Sequence, residues 1–434
     1  MLVGCEDNRR QPLPLTFELP ASANAGKPAR KGAAKPAPNK AKPAADDASA
    51  VKKLEEAGFR LVRDGSGRVI EVTASLQQKA PEALKEIAKL QNVKTLVLGG
   101  PGTTDEGLEA LASLKNLERL DMTRTSVTNK ALEVAGKIAS LRVLIMRQTG
   151  ITDEGLASLS GLKNLRALDL RNTVITDAGL ESIGKITSLL DLQMERAQVT
   201  DEGIKDLLPL KKLKNLNLNT TELGDASLET IGQLPSLEAL QMDSTQVTDE
   251  GLASLKGLTN LKSLRLRFCF VTTEGIMHLS EMKNLERLEL RATYFDDEAM
   301  KVIGRFKKLS YLDLGECVDI TDEGFKELSG SKMLKYLGCW ETELTDEGLE
   351  SLAGIGLETI DLRSTDITDA AGDTLAKMTT LQAIDASGTK VSDEFLTKIA
   401  KLPALRKLTL ANTGVTTEGV DAFKKANPEA KVAQ

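Results

Sequence analysis

Few side chains in this sequence are equipped for chemistry: one histidine, His278, and four cysteines, Cys5, Cys269, Cys317 and Cys339, among 434 residues. A lone imidazole cannot build a multi-histidine metal site, and no Ser or Cys is visibly paired with it as a nucleophile. Carboxylates, by contrast, recur. The peptide Thr-Asp-Glu-Gly, or a near variant, has its second residue at Asp105, Asn129, Asp153, Asp177, Asp201, Asp225, Asp249, Thr273, Asp297, Asp322, Asp346, Asp369, Asp393 and Thr417. Such a series suggests a calcium ladder or an acid–base pair. A catalytic pair is needed once, however, and these recur, so helix capping accounts for them better. The chain also lacks a GxxxxGK[ST] phosphate loop and a plausible GxGxxG fingerprint. The expectation is a protein that is not an enzyme and carries no metal and no cofactor.

The elements that must position these residues follow from their spacing. The fourteen positions lie 24 residues apart except for one step of 25 and one of 23. Upstream of each runs L-x-x-L-x-L-x-x-T, as in Leu165, Leu168, Leu170 and Thr173, or Leu285, Leu288, Leu290 and Thr293. In L-x-L the leucines alternate with polar residues, which predicts a short strand with leucines inward. After Thr152, well placed as an N-cap, Leu156 and Leu159 turn one helical face onto those leucines. No single unit closes a core, so the units must stack.

This pattern resembles the leucine-rich repeat, over about residues 90–425. The resemblance implies an α/β solenoid, a right-handed horseshoe with a parallel sheet on the concave face and helices on the convex face. The subtype resembles the cysteine-containing repeats of F-box proteins and of bacterial proteins with TDxGL repeats. Cys317-Val318-Asp319-Ile320-Thr321-Asp322-Glu323-Gly324 matches it closely. Cys269 takes a position used elsewhere by Thr, and Cys339 an inward leucine slot, so all three cysteines read as small core residues rather than a disulfide framework. Residues 1–50 hold no helical module of the F-box kind, and a ubiquitin-ligase role does not carry over.

Residues 2–5, Leu-Val-Gly-Cys, resemble a bacterial lipobox, with Cys5 as the lipidation site, although only four residues precede it. The stretch 21–45 is almost wholly Ala, Pro, Lys, Asn and Gly and reads as a disordered tether. The resulting division is a lipoprotein-like remnant and tether over 1–50, an N-terminal cap with a β-hairpin over 51–90, about fourteen repeats over 91–420 and a C-terminal cap over 421–434. The hairpin is expected from Phe59 to Val72 around Asp64-Gly65-Ser66-Gly67; Phe423, Pro428 and Val432 would close the other end. A bacterial cell envelope is the expected location, with the cytoplasm as the alternative and membrane contact only through the lipid. A net charge of −6 argues against nucleic acid as a partner.

Binding remains, and the register nominates the side chains. The residue before the second leucine, the one inside L-x-L and the one after it face the concave sheet. These columns yield Arg265, Arg267, Arg287, Glu289, Arg291, Tyr311, Asp313, Tyr336, Trp340 and Arg363, flanked by Phe268, Phe270 and Tyr294. Nine of the thirteen aromatics fall between residues 268 and 340. Trp, Tyr and Arg together have the composition of an interface hot spot. The expectation is a monomer that recognises a protein or glycan on this face. The alternative is a structural scaffold, its rings packed on one another and its charges paired across the sheet.

Overall fold

A computed structural model describes residues 46–434 of the chain. Cys5 and the tether lie outside the described residues. The described residues open with a helix, Ala48–Glu56, and an antiparallel hairpin of Arg60–Arg63 against Val69–Ser75, turned at Asp64 to Gly67. Asp64 closes the turn by accepting the Ser66 and Arg68 backbone N–H groups and the Arg68 guanidinium. Val69–Ser75 then pairs in parallel with Thr95–Thr104, and from there the sheet grows by one strand per repeat.

The repeat strands are three residues long, and each meets the next in parallel with its central apolar residues in register: Leu144 with Leu168, Leu168 with Leu192, Leu192 with Leu216. Those residues and the helical Leu, Ile and Phe side chains merge into one apolar core that runs the length of the solenoid. Phe295, Phe306 and Phe325 are buried in it, as are Cys269, Cys317 and Cys339. At the far end the strand Lys431–Ala433 pairs with Lys407–Thr409, and buried Phe423 lies beneath.

Two features of the repeat concern the turn that leaves each strand. The ladder threonine holds it from inside: Thr173 Oγ1 donates to Leu170 O at 2.6 Å, and Thr245 Oγ1 to Met242 O at 2.7 Å. Cys317 fills the same slot and directs its thiol at Leu290 O, 3.2 Å away in the preceding repeat. The residue just before this slot is left-handed in repeat after repeat, from Arg124 (φ 57°) through Phe268 (φ 57°) to Asn412 (φ 55°).

The recurring acids lie in the first turn of their helices, as expected, and do something more. Asp153 accepts the backbone N–H of Thr176 at 2.9 Å and its hydroxyl at 2.6 Å, and so clamps the N-cap residue of the next repeat. Asp177 treats Thr200 likewise, and Asp225 treats Thr248. The series runs from Asp105 on Thr128 to Asp393 on Thr416. Thr152, expected to cap its own helix through its side chain, makes no such bond; its hydroxyl accepts from Asn129 Nδ2 at 2.8 Å. Thr176 and Thr345 do cap their helices with the same oxygen that the neighbouring Asp engages.

The glycine of Thr-Asp-Glu-Gly is the other half of the clamp. A Cβ on Gly203 would stand 2.2 Å from Asp177 Oδ1, and one on Gly275 would stand 2.2 Å from Asp249 Oδ1. The preceding carboxylate occupies the place a side chain would need. One rung is inverted: Thr273 replaces the acid and Asp296 replaces the next threonine, with Thr273 Oγ1 donating to Asp296 Oδ1 at 2.7 Å.

Candidate functional site on the concave sheet

The strands Ser263–Arg265, Arg287–Glu289, Tyr311–Asp313, Tyr336–Gly338 and Thr359–Asp361 lie side by side and carry the candidate residues in three columns. In the first column Arg287, Tyr311 and Tyr336 stack along the solenoid axis. The two tyrosine rings are 4.0 Å apart and 5° from parallel, and the Arg287 guanidinium lies 3.5 Å over Tyr311. In-register strand pairing brings these side chains face to face, and stacking and cation–π attraction hold them there.

The column after each strand forms a second stack. Trp340 lies between Arg291, 4.4 Å from its ring centre, and Arg363, at 4.8 Å. Gly315 makes this possible. A Cβ there would come 2.1 Å from Trp340 Nε1, so the indole occupies space that any other residue would fill. Phe268 extends the row, with Arg291 5.0 Å from its ring.

Between the two stacks runs a floor of Arg265, Glu289, Asp313, Gly338 and Asp361. Sequence placed Arg265, Glu289 and Asp313 among the groove-lining residues, but they are only 9%, 2% and 7% exposed. Longer side chains from the flanking columns close over them, so they support the surface more than they form it. Arg267, Arg287, Arg291, Tyr311, Tyr336, Trp340 and Arg363 remain half-exposed. Phe270 and Tyr294 are 57% and 62% exposed on the rim beyond the second stack, and Phe268 is 44% exposed.

The charges are paired, some between neighbouring repeats and some within one strand. Arg265 and Arg267 both bond Asp243, Arg287 meets Glu289 at 2.6 Å, Arg291 meets Glu316 at 2.6 Å and Arg363 meets Asp361 at 2.7 Å. The ion-pair ladders and ring packing that define the scaffold alternative are therefore present in the same residues as the hot-spot composition. Glu316, unnoticed in the sequence, fixes Arg291; its signal was its place beside Cys317 at the end of the strand repeat.

Asp313 is different. The hydrogen bond it accepts comes from the Gly315 N–H at 3.2 Å, and burial first, then Glu289, pushes its carboxyl up to about 6. Burial likewise raises the phenols of Tyr311 and Tyr336, and the Asp361 carboxylate raises the Arg363 guanidinium. The three described cysteines are held as thiols, Cys317 up to about 11, again by burial. Such thiols are poor nucleophiles. His278, the lone imidazole, is half-buried at the end of the helix Thr273–Met277. Among the described residues no three His, Cys, Asp or Glu side chains are grouped to hold a metal ion, and no helix is long and apolar enough to cross a membrane.

Residues 71–334 match the family described as leucine-rich repeat region. The chain belongs to the leucine-rich-repeat family. No curated protein matches the sequence. Among solved structures this leucine-rich-repeat chain is similar to an internalin from Listeria monocytogenes, with a TM-score of 0.58 at 21% identity over 78% of this chain and 94% of that one. It is also similar to a leucine-rich-repeat protein of Leptospira interrogans, with a TM-score of 0.53 at 20% identity over 83% and 93%. At these identities the likeness is one of fold.

Proposed function

We propose that the chain is a non-enzymatic recognition module that holds a protein partner against the concave sheet between Arg265 and Arg363. The observation that carries this reading is the pair of parallel stacks, Arg287–Tyr311–Tyr336 and Arg291–Trp340–Arg363. Large amphipathic side chains held rigid before contact lose little entropy on binding, and a rigid aromatic and Arg cluster is where interface energy concentrates. A polypeptide suits it better than a glycan. Sugars stack on free ring faces, whereas here Tyr311 is covered on one side by Arg287 and on the other by Tyr336, and guanidinium groups flank Trp340. The guanidinium groups of Arg287, Arg291 and Arg363 add the fixed hydrogen-bond donors that suit a polypeptide.

The test is side-by-side capture from a lysate of the native cell on immobilised wild type, Trp340→Ala and Arg291→Glu, each checked for an unchanged circular dichroism spectrum. Partners retained by wild type and lost by both variants support the patch. If both variants retain every partner, the surface is the regular face of a scaffold, the second reading that the paired charges favour.

An envelope location through a lipid on Cys5, as in the bacterial lipoproteins whose cleavage motif Leu2-Val3-Gly4-Cys5 resembles, belongs to the same proposal. The cysteine-containing subtype, carried by Cys269 and Cys317 in the ladder slot, goes with it. Mass analysis of the protein expressed from its native start checks the anchor: acyl mass on Cys5 supports it, and an unmodified thiol removes it.

A further inference from the structure

We propose that the N-terminal half of the groove holds a second, separate site, for a phosphate or carboxylate group, built from the guanidinium groups of Arg124, Arg147 and Arg171. These residues, with Gln148 and Glu195, line a cavity of about 320 Å³ on the concave side, at the lower end of the ~300–1,000 Å³ typical of ligand sites.

The site is constructed from below. Asp169 is 1% exposed and lies under the cavity. Arg171 grips it with two parallel bonds, Nε to Oδ1 at 3.0 Å and Nη2 to Oδ2 at 2.8 Å. Arg147, one repeat earlier in the same column, sets its Nε 2.9 Å from the same Oδ2. That contact is an ion pair by distance but not a hydrogen bond by direction, since Arg147 Nε is buried with no hydrogen-bond partner among the described residues. One carboxylate therefore orients two guanidinium groups and neutralises one of them. Arg124, on the left-handed turn of the preceding repeat, donates its Nε to Gln148 Oε1 at 2.6 Å and forms no ion pair among the described residues.

Arg171 is answered by Asp169 beneath it, by Glu195 at the far wall and by buried Asp191, whereas Arg124 has no acid paired with it among the described residues. In the C-terminal patch, by contrast, each arginine already has its acid and most have a ring. Planar forks fixed at repeat spacing match the oxygens of a phosphate or carboxylate, and the outward N–H groups of Arg124 and Arg147 are the donors. Glu195 limits the ligand to a single compact anionic group.

The experiment titrates the full chain with inorganic phosphate, and in a second arm with acetate, at constant ionic strength set by chloride, reading heat by calorimetry and melting temperature in parallel. Arg147→Ala removes a guanidinium fixed by Asp169. Arg124→Gln removes one that is exposed and bonded only to a neighbouring side chain, so its fold is safe. Lys256→Ala, on the helical side, is the control. Saturable phosphate binding that weakens tenfold or more in Arg124→Gln and Arg147→Ala but not in Lys256→Ala supports the site. The same pattern with acetate alone supports it with a carboxylate as the ligand group. Phosphate and acetate effects that do not saturate, or that are equal in wild type and both arginine variants, overturn it.

Discussion

Asp313 ties the energetics of a single side chain to the shape of the groove. Its carboxyl titrates near 6 in the folded protein, against roughly 3.9 in an unfolded chain, because burial penalises the charge. The folded state then binds a proton that the unfolded state has released, so stability falls as pH rises from about 4 through 6 and stays reduced above. Asp313→Asn is expected to raise stability at pH 7, by up to about 3 kcal/mol on two pKa units, while wild type and variant converge at pH 4. Denaturant melts at both pH values check this; the same gap at both would contradict it. Strand alternation places Asp313, Glu289 and Arg265 on the face of the sheet opposite the inward leucines. It could not show them roofed over, because the cover comes from residues one or two repeats away, such as Tyr336 and Trp340. The glycines that admit the cover, Gly315 and Gly338, carried no distinctive mark in the sequence.

At the scale of the element, the repeat is held by a clamp that its own sequence half discloses. Gly203 sits in a helix, where alanine ordinarily stabilises by about 1 kcal/mol. Here the added methyl would meet the Asp177 carboxylate at 2.2 Å, so Gly203→Ala is expected to destabilise by roughly 1–3 kcal/mol, the cost of overpacking. Gly161→Ala, with nothing within 4 Å, serves as the neutral comparison in the same thermal melts. A stabilised Gly203→Ala would dispose of the clamp. The inverted rung offers a second check. Thr273→Asp would face Asp296 with a like charge and lower the melting temperature, and adding Asp296→Thr would recover most of the loss, a coupling that a double-mutant cycle measures directly. Additive losses would mean that the two positions do not interact. The period, the strands and the inward leucines were all legible, because an aliphatic pattern repeated fourteen times has one consistent packing. The destination of each Asp was not, because a carboxylate at a helix start suits its own helix as well as a neighbour's threonine. The exchange of residue types at 273 and 296 was the available clue. The left-handed turn was hidden too, since Arg124, Gln148, Phe268 and Glu316 occupy it in place of the Gly or Asn that such a conformation favours.

For the whole molecule, a continuous core and in-register strands make the concave sheet a stiff platform, so a side chain's column and repeat fix its position relative to every other. Over most of its length this platform carries mixed polar residues. Between Arg265 and Arg363 it carries two preformed stacks, and the account rests on these being a contact surface for a protein. The most direct measurement is photo-crosslinking in the native cell, with a photoreactive amino acid placed in turn at Tyr336, at Ser387 farther along the same face, and at Glu281 on the helical side. The account predicts a discrete crosslinked protein from position 336, a weaker one or none from 387, and none from 281. Equal crosslinking from 336 and 281, or no product at 336, would contradict it.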